Sequence, residues 1–134
     1  MASFTSTSRR MLIAALALLA AAAAALLVAR DQPADAASTH TVKLSADGQG
    51  KLKFNKTKLT TTHGKVTLVM TNPSGSGKPH GVAVEGHGVD KDGKTVSPGG
   101  ASRVTATLKK GTYEFYCPVD GHKAAGMEGK LVVK

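Results

Sequence analysis

Short runs that alternate apolar and polar residues recur along residues 41–134, and this period of two restricts that stretch to a sheet protein. Val42, Leu44 and Ala46 share one side while Thr41, Lys43 and Ser45 take the other. Val66, Leu68 and Met70 repeat the pattern, as do Val82 with Val84, and Val104, Ala106 and Leu108. Tyr113, Phe115 and Cys117 share a face, and Leu131 and Val133 close the series. No helical period of useful length competes with it. Turn clusters separate the runs at Asp47–Gly50, Asn72–Gly77 and Lys109–Gly111. The longest connection, residues 86–101, is rich in Gly and Asp and reads as a surface excursion. About seven to eight short antiparallel strands in under 100 residues predict an all-β sandwich.

The first 36 residues belong to a different category. Ser8-Arg9-Arg10 precedes Met11 to Ala29, nineteen residues without a charge and almost entirely Ala and Leu. A basic stretch followed by an apolar run is the pattern of an export signal, and Ala34-Asp35-Ala36 supplies a small-x-small cleavage site. Nineteen residues also just reach spanning length, so residues 11–29 read either as a cleaved signal or as a retained anchor. The division is therefore 1–36 as signal peptide or N-terminal membrane anchor, and 37–134 as the folded domain. Export puts the domain in the periplasm or on the outer face of the cytoplasmic membrane.

Cysteine count narrows the chemistry. One cysteine in 134 residues excludes an internal disulfide, a Cys-x-x-Cys redox pair, a four-cysteine zinc site and a cysteine-ligated iron–sulfur cluster. Cys117 is left as an inert core residue, a reactive thiol or one ligand of a mixed site. Its neighbours favour the last. Cys117, His122 and Met127 stand at five-residue intervals in a stretch too polar and glycine-rich for a core, between two strand patterns. Gly121 and Gly126 each precede a candidate ligand and let the backbone turn sharply. Thiolate, imidazole and thioether together suit a soft metal, and one more imidazole completes the two-His, one-Cys set with a weak axial Met of blue-copper sites. His80, after a Gly/Pro loop, is placed to supply it. A domain whose only aromatics are Phe54, Tyr113, Phe115 and Tyr116 has a small core that a bound metal would help.

Pro79-His80-Gly81-Val82-Ala83-Val84, Gly111-Thr112-Tyr113-Glu114-Phe115-Tyr116-Cys117 and Gly121-His122 with Gly126-Met127 together resemble the cupredoxins. The chain is similar to the plastocyanin, azurin and auracyanin group of small blue copper proteins, and its Cys-x4-His-x4-Met spacing to the auracyanin and rusticyanin type. The resemblance implies a Greek-key sandwich with one type 1 copper per chain. It implies His80, Cys117 and His122 as equatorial ligands and Met127 as the axial one. Many members have Asn after the first His, where this chain has Gly81. Gly81 keeps the backbone N–H that bonds the Cys sulfur in the family but lacks the Asn side chain that struts the ligand loops. Pro118 has no N–H, so a second bond to sulfur would come from elsewhere, such as Val119.

The implied function is one-electron transfer, without enzymatic activity. The edge of His122 would be the electron port and Pro118, Ala124 and Ala125 an apolar docking rim. Cys117 would offer a second route toward Tyr116. A copper storage, delivery or resistance protein of the envelope is the alternative. Residues 37–134 carry 15 basic against 7 acidic side chains. A net +8 favours encounter with an acidic redox partner (a cytochrome, oxidase or reductase) or an anionic membrane surface. Lys51, Lys53, Lys56 and Lys58 alternate along one such basic stretch. Nucleic acid is not expected, since no aromatics interleave with the charges. A monomer is the family default.

Overall fold

The computed structural model describes residues 38–134, in which eight strands form two stacked sheets. The export and anchor assignments for residues 1–36 lie outside the described residues. The strands are β1 (Thr39–Ser45), β2 (Lys58–Thr61), β3 (Gly64–Thr71), β4 (Ala83–Gly86), β5 (Val89–Asp92), β6 (Ala101–Leu108), β7 (Gly111–Tyr116) and β8 (Glu128–Val133). One sheet has the order β1-β3-β6 and the other β2-β8-β7-β4-β5.

Alternation drives the stacking. Along β6 exposed and buried residues alternate without a break, with Ser102, Val104, Ala106 and Leu108 facing inward. Leu68 and Met70 of β3 meet them from the same sheet, and Phe115, Leu131 and Val84 face them from the other; all are nearly inaccessible. Burial of this apolar surface is the main stabilising term. The Phe115 ring lies 5.6 Å from that of Phe54. Its cross-strand partner is Gly129, and a side chain there would occupy the space of the ring. Residues 38–134 thus carry an interior of their own.

Two expectations need correction. The strands are not all antiparallel: β1 runs parallel to β3, and β2 parallel to β8. Each parallel pair joins strands that are not sequence neighbours or that lie at opposite ends of the domain, which no local pattern encodes. The connection 86–101 is also not a plain excursion. It contains β5, which extends the second sheet beside β4, and Val96, which bridges to His80.

Strand direction sorts the loops onto two ends. The segments 72–82, 93–100 and 117–127 gather at one end, where β7 finishes and β8 begins. The short connections 62–63, 87–88 and 109–110 lie at the other. Tyr113 secures that second end, since its hydroxyl donates to the Lys109 carbonyl (3.2 Å) and accepts from the Lys109 N–H (3.1 Å).

Candidate metal centre

The four expected ligand residues come from two segments, three of them from the loop after β7. Cys117 follows the last residue of β7 and is 1% exposed; its N–H bonds the Met127 carbonyl at 3.0 Å. The chain then turns. His122 N–H bonds the Val119 carbonyl and Met127 N–H bonds the His122 carbonyl, each at 3.0 Å. Gly121 (φ 77°) and Gly126 (φ 97°) hold the left-handed conformations that fold this loop on itself. Met127 is fully buried, and its backbone bonds to both His122 and Cys117 keep it in the same tight loop.

His80 comes from the opposite side, held by a double bridge to Val96 (His80 N–H to Val96 O 3.1 Å, Val96 N–H to His80 O 2.8 Å). The Nδ1 atoms of His122 and His80 lie 3.4 and 3.9 Å from Cys117 Sγ, and the three ligand atoms fall within 4.8 Å of one another. A metal bonded to sulfur at about 2.3 Å and nitrogen at about 2.0 Å, with ligands about 120° apart, holds S and N about 3.7 Å from each other. The residues therefore fit a single soft metal.

Electrostatics agree. Burial, then the neighbouring His122 and Lys78, push the His80 imidazole below its ordinary pKa. Burial and Lys78 do the same at His122. Both shifts favour the neutral ring, the form that has a lone pair to give a metal. His80 Nε2 is buried without a hydrogen-bond partner. Ligating histidines usually donate this second N–H to a fixed acceptor. Here the backbone bridge to Val96 and the complete burial of the side chain restrict the ring instead.

The sulfur receives one backbone N–H among the described residues, from Gly81 at 3.4 Å. This matches the expectation for Gly81, whereas Val119 does not supply a second. A side chain at 81 would be crowded. A Cβ at Gly81 would lie 3.1 Å from Pro118 Cγ and 3.2 Å from its Cδ. Pro118 packs over the glycine, so ring-on-backbone contact joins the two ligand segments where a polar strut is lacking.

Sequence reasoning misses Asn72, which reads there only as part of a turn. Its side chain is fully buried and donates to the carbonyls of Lys78 and Val96, both at 2.9 Å, while Ser76 Oγ donates to its Oδ1 at 2.6 Å. Asn72 thus ties the loop that delivers His80 to the loop that brackets it. An Asn-Pro pair closing an apolar strand is the available signal, but it does not distinguish a surface turn from a buried staple.

At the surface, His122 is half-buried with Ala124 and Ala125 exposed and Pro118 half-buried beside it. Next to it, Lys123 reaches back across the Tyr116 ring (4.2 Å to the centroid) to Glu85 at 2.5 Å and Glu114 at 3.4 Å. The Glu85 bond chiefly raises the Lys123 pKa; burial, then Asp92, raise that of Tyr116. Met70 is core, as expected, and His63 and His87 are exposed.

A sandwich that gathers a cysteine sulfur, two imidazoles and a thioether at one end is a cupredoxin, with the two-His, one-Cys, one-Met donor set of a type 1 copper-like site. The chain belongs to the plastocyanin/azurin family of copper binding proteins, whose profile matches residues 40–134. Among solved structures it is similar to a dithionite-reduced auracyanin from Roseiflexus castenholzii, at 25% identity and a TM-score of 0.62, covering 73% of this chain and 98% of that one. It is also similar in fold to a copper nitrite reductase from Nitrosomonas europaea (23% identity, TM-score 0.58), covering 72% of this chain and 42% of that one. Amicyanin from Paracoccus versutus shares the fold at 21% identity and a TM-score of 0.52, covering 78% of this chain and 86% of that one. His80, Cys117, His122 and Met127 are consistent with one type 1 copper.

Proposed function

We propose that this protein is a one-electron carrier of the cell envelope rather than an enzyme or a copper store. Bound copper would supply the Cu(I)/Cu(II) couple. The residues supply a rigid, dry setting for it. His80, Cys117 and Met127 are at most 1% exposed, and backbone bonds rather than mobile side chains position all of them. A ligand set fixed in advance rearranges little between oxidation states, which is what rapid transfer requires and what a store does not need. The single observation that carries the reading is the contrast between three inaccessible ligands and His122, which alone is partly exposed, in a loop whose Pro118, Ala124 and Ala125 are also partly or fully exposed. That surface is where a redox partner would dock and the His122 edge is where the electron would pass. The basic segment and apolar run before residue 36 support export to the periplasm or the outer face of the cytoplasmic membrane. Coverage of 98% of an auracyanin chain, at 25% identity, supports a small blue copper carrier.

The test is a visible spectrum of residues 37–134 after addition of Cu(II). An intense thiolate-to-copper band is expected, abolished in Cys117→Ser. The band should bleach and return through repeated reduction and oxidation with copper retained. Release of copper on reduction would favour storage or delivery instead.

A further inference from the structure

The charge of the domain is not spread evenly, and the end opposite the ligands is its most one-sided region. Lys65 is the second residue of β3, Lys109 and Lys110 form the β6–β7 turn, and Lys134 follows β8; all four are exposed. The connections at this end, 62–63, 87–88 and 109–110, contain no carboxylate side chain. The nearest carboxylates by register are Asp90, its cross-strand partner Glu85, and Glu114 on the other side of Glu85. Both glutamates are already paired with Lys123. At the ligand end, by contrast, Lys51, Lys53, Lys56, Lys78, Lys94 and Lys123 are interspersed with Asp47, Asp92, Asp120 and Glu128.

The chain also enters the fold at the one-sided end. β1 begins there, at Thr39, paired with Lys65, and only residues 30–38 separate it from the apolar run ending at Ala29. Nine residues amount to at most about 30 Å of extended chain. We propose that this lysine end is a docking face for an anionic phospholipid surface, and that it presents the His122 rim away from the lipid. A polybasic cluster close in sequence to an apolar segment is the arrangement that anionic headgroups attract. The orientation follows because the two ends are separated by the full length of the strands. The proposal deepens the envelope reading given above, but it does not depend on what the copper does.

The test uses copper-loaded residues 37–134, so that lipid binding by the apolar run does not contribute, and vesicles of phosphatidylcholine with or without phosphatidylglycerol. Co-sedimentation with the phosphatidylglycerol vesicles is expected at low salt, falling as ionic strength rises. Lys65→Gln, Lys109→Gln, Lys110→Gln and Lys134→Gln combined should lower partitioning by up to about a thousandfold. The matched variant Lys51→Gln, Lys53→Gln, Lys78→Gln and Lys94→Gln should keep most of it. Equal loss in both variants would overturn the proposal in favour of net charge alone. Failure to bind phosphatidylglycerol vesicles would overturn it too, and capture of the wild type by immobilised polyglutamate in that case would assign the face to an acidic protein. The visible band monitors folding and copper in every variant, so a lost docking face is distinguishable from a failed metal site.

Discussion

The two ends of this sandwich are built from different materials. At the ligand end the buried polar residues Asn72, Ser76, His80 and Ser102 are concentrated, and the loops are long and internally bonded. At the far end the connections are two-residue turns, none of those four residues is present, and the charges stand in solvent. Buried polar groups stabilise only when their partners are all in place, and they cost heavily when one is removed. The ligand end is therefore the specified end, sensitive to single atoms. The far end tolerates change and is free to serve as a surface.

The largest expected effect concerns Asn72. Asn72→Ala would leave the Lys78 and Val96 carbonyls and the Ser76 hydroxyl without a shared partner inside the protein. A loss of about 2–4 kcal/mol is expected by urea unfolding, together with weaker copper retention because the His80 loop is released. Lys109→Gln at the far end should change stability by less than about 0.5 kcal/mol. Similar losses from both would erase the distinction between the ends.

Next comes the contact of Gly81 with Pro118. Gly81→Ala would push a methyl group to 3.1 Å from the proline ring. An overpacking cost of about 1–3 kcal/mol is expected, with a shifted thiolate-to-copper band, because the Gly81 N–H to Cys117 Sγ bond moves with the backbone. Adding Pro118→Ala should recover most of both. If the double variant is no better than the single, the two residues are not coupled as the geometry requires.

These two sites also show where the sequence was readable. The strands β3, β6, β7 and β8 announced themselves because each buries two or more alternating side chains. β2 and β5 did not: Lys58–Thr61 buries Leu59 alone, and Val89–Asp92 has one half-buried valine among three charged residues. Such edge strands are held by ladder bonds to a neighbour, a tertiary fact without a local pattern. Likewise Lys51, Lys53, Lys56 and Lys58 are all exposed, yet the buried Phe54 interrupts them, and only Lys58 belongs to a strand. The ligands in one loop were legible because Cys, His and Met are rare here and evenly spaced. His80 was legible from its place before a strand and from the resemblance. Asn72 was not, since its role lies entirely in which two carbonyls the fold brings to its amide.

A smaller effect is expected at Met127. Met127→Leu keeps an apolar side chain of similar volume in a fully buried position, so stability should fall by less than about 1.5 kcal/mol. The blue band should persist while the reduction potential moves, since an axial thioether tunes the metal rather than holding it. Loss of all copper would mean that Met127 is a principal ligand.

The smallest effect tests whether sensitivity follows position at the ligand end or burial. Lys123 is at the ligand end, next to His122, but its ion pairs with Glu85 and Glu114 are about one-third exposed or more on both sides. Exposed pairs of this kind contribute about 0–1 kcal/mol and are screened by salt. Lys123→Met should therefore cost no more than about 1 kcal/mol, with the difference from wild type shrinking in 0.5 M salt (roughly a 4 Å screening length). The thiolate-to-copper band should be unchanged, because the carboxylates it releases face water and not the sulfur. A cost approaching that of Asn72→Ala, insensitive to salt, would show that closeness to the metal matters more than burial, and the contrast between the two ends would have to be redrawn on that basis.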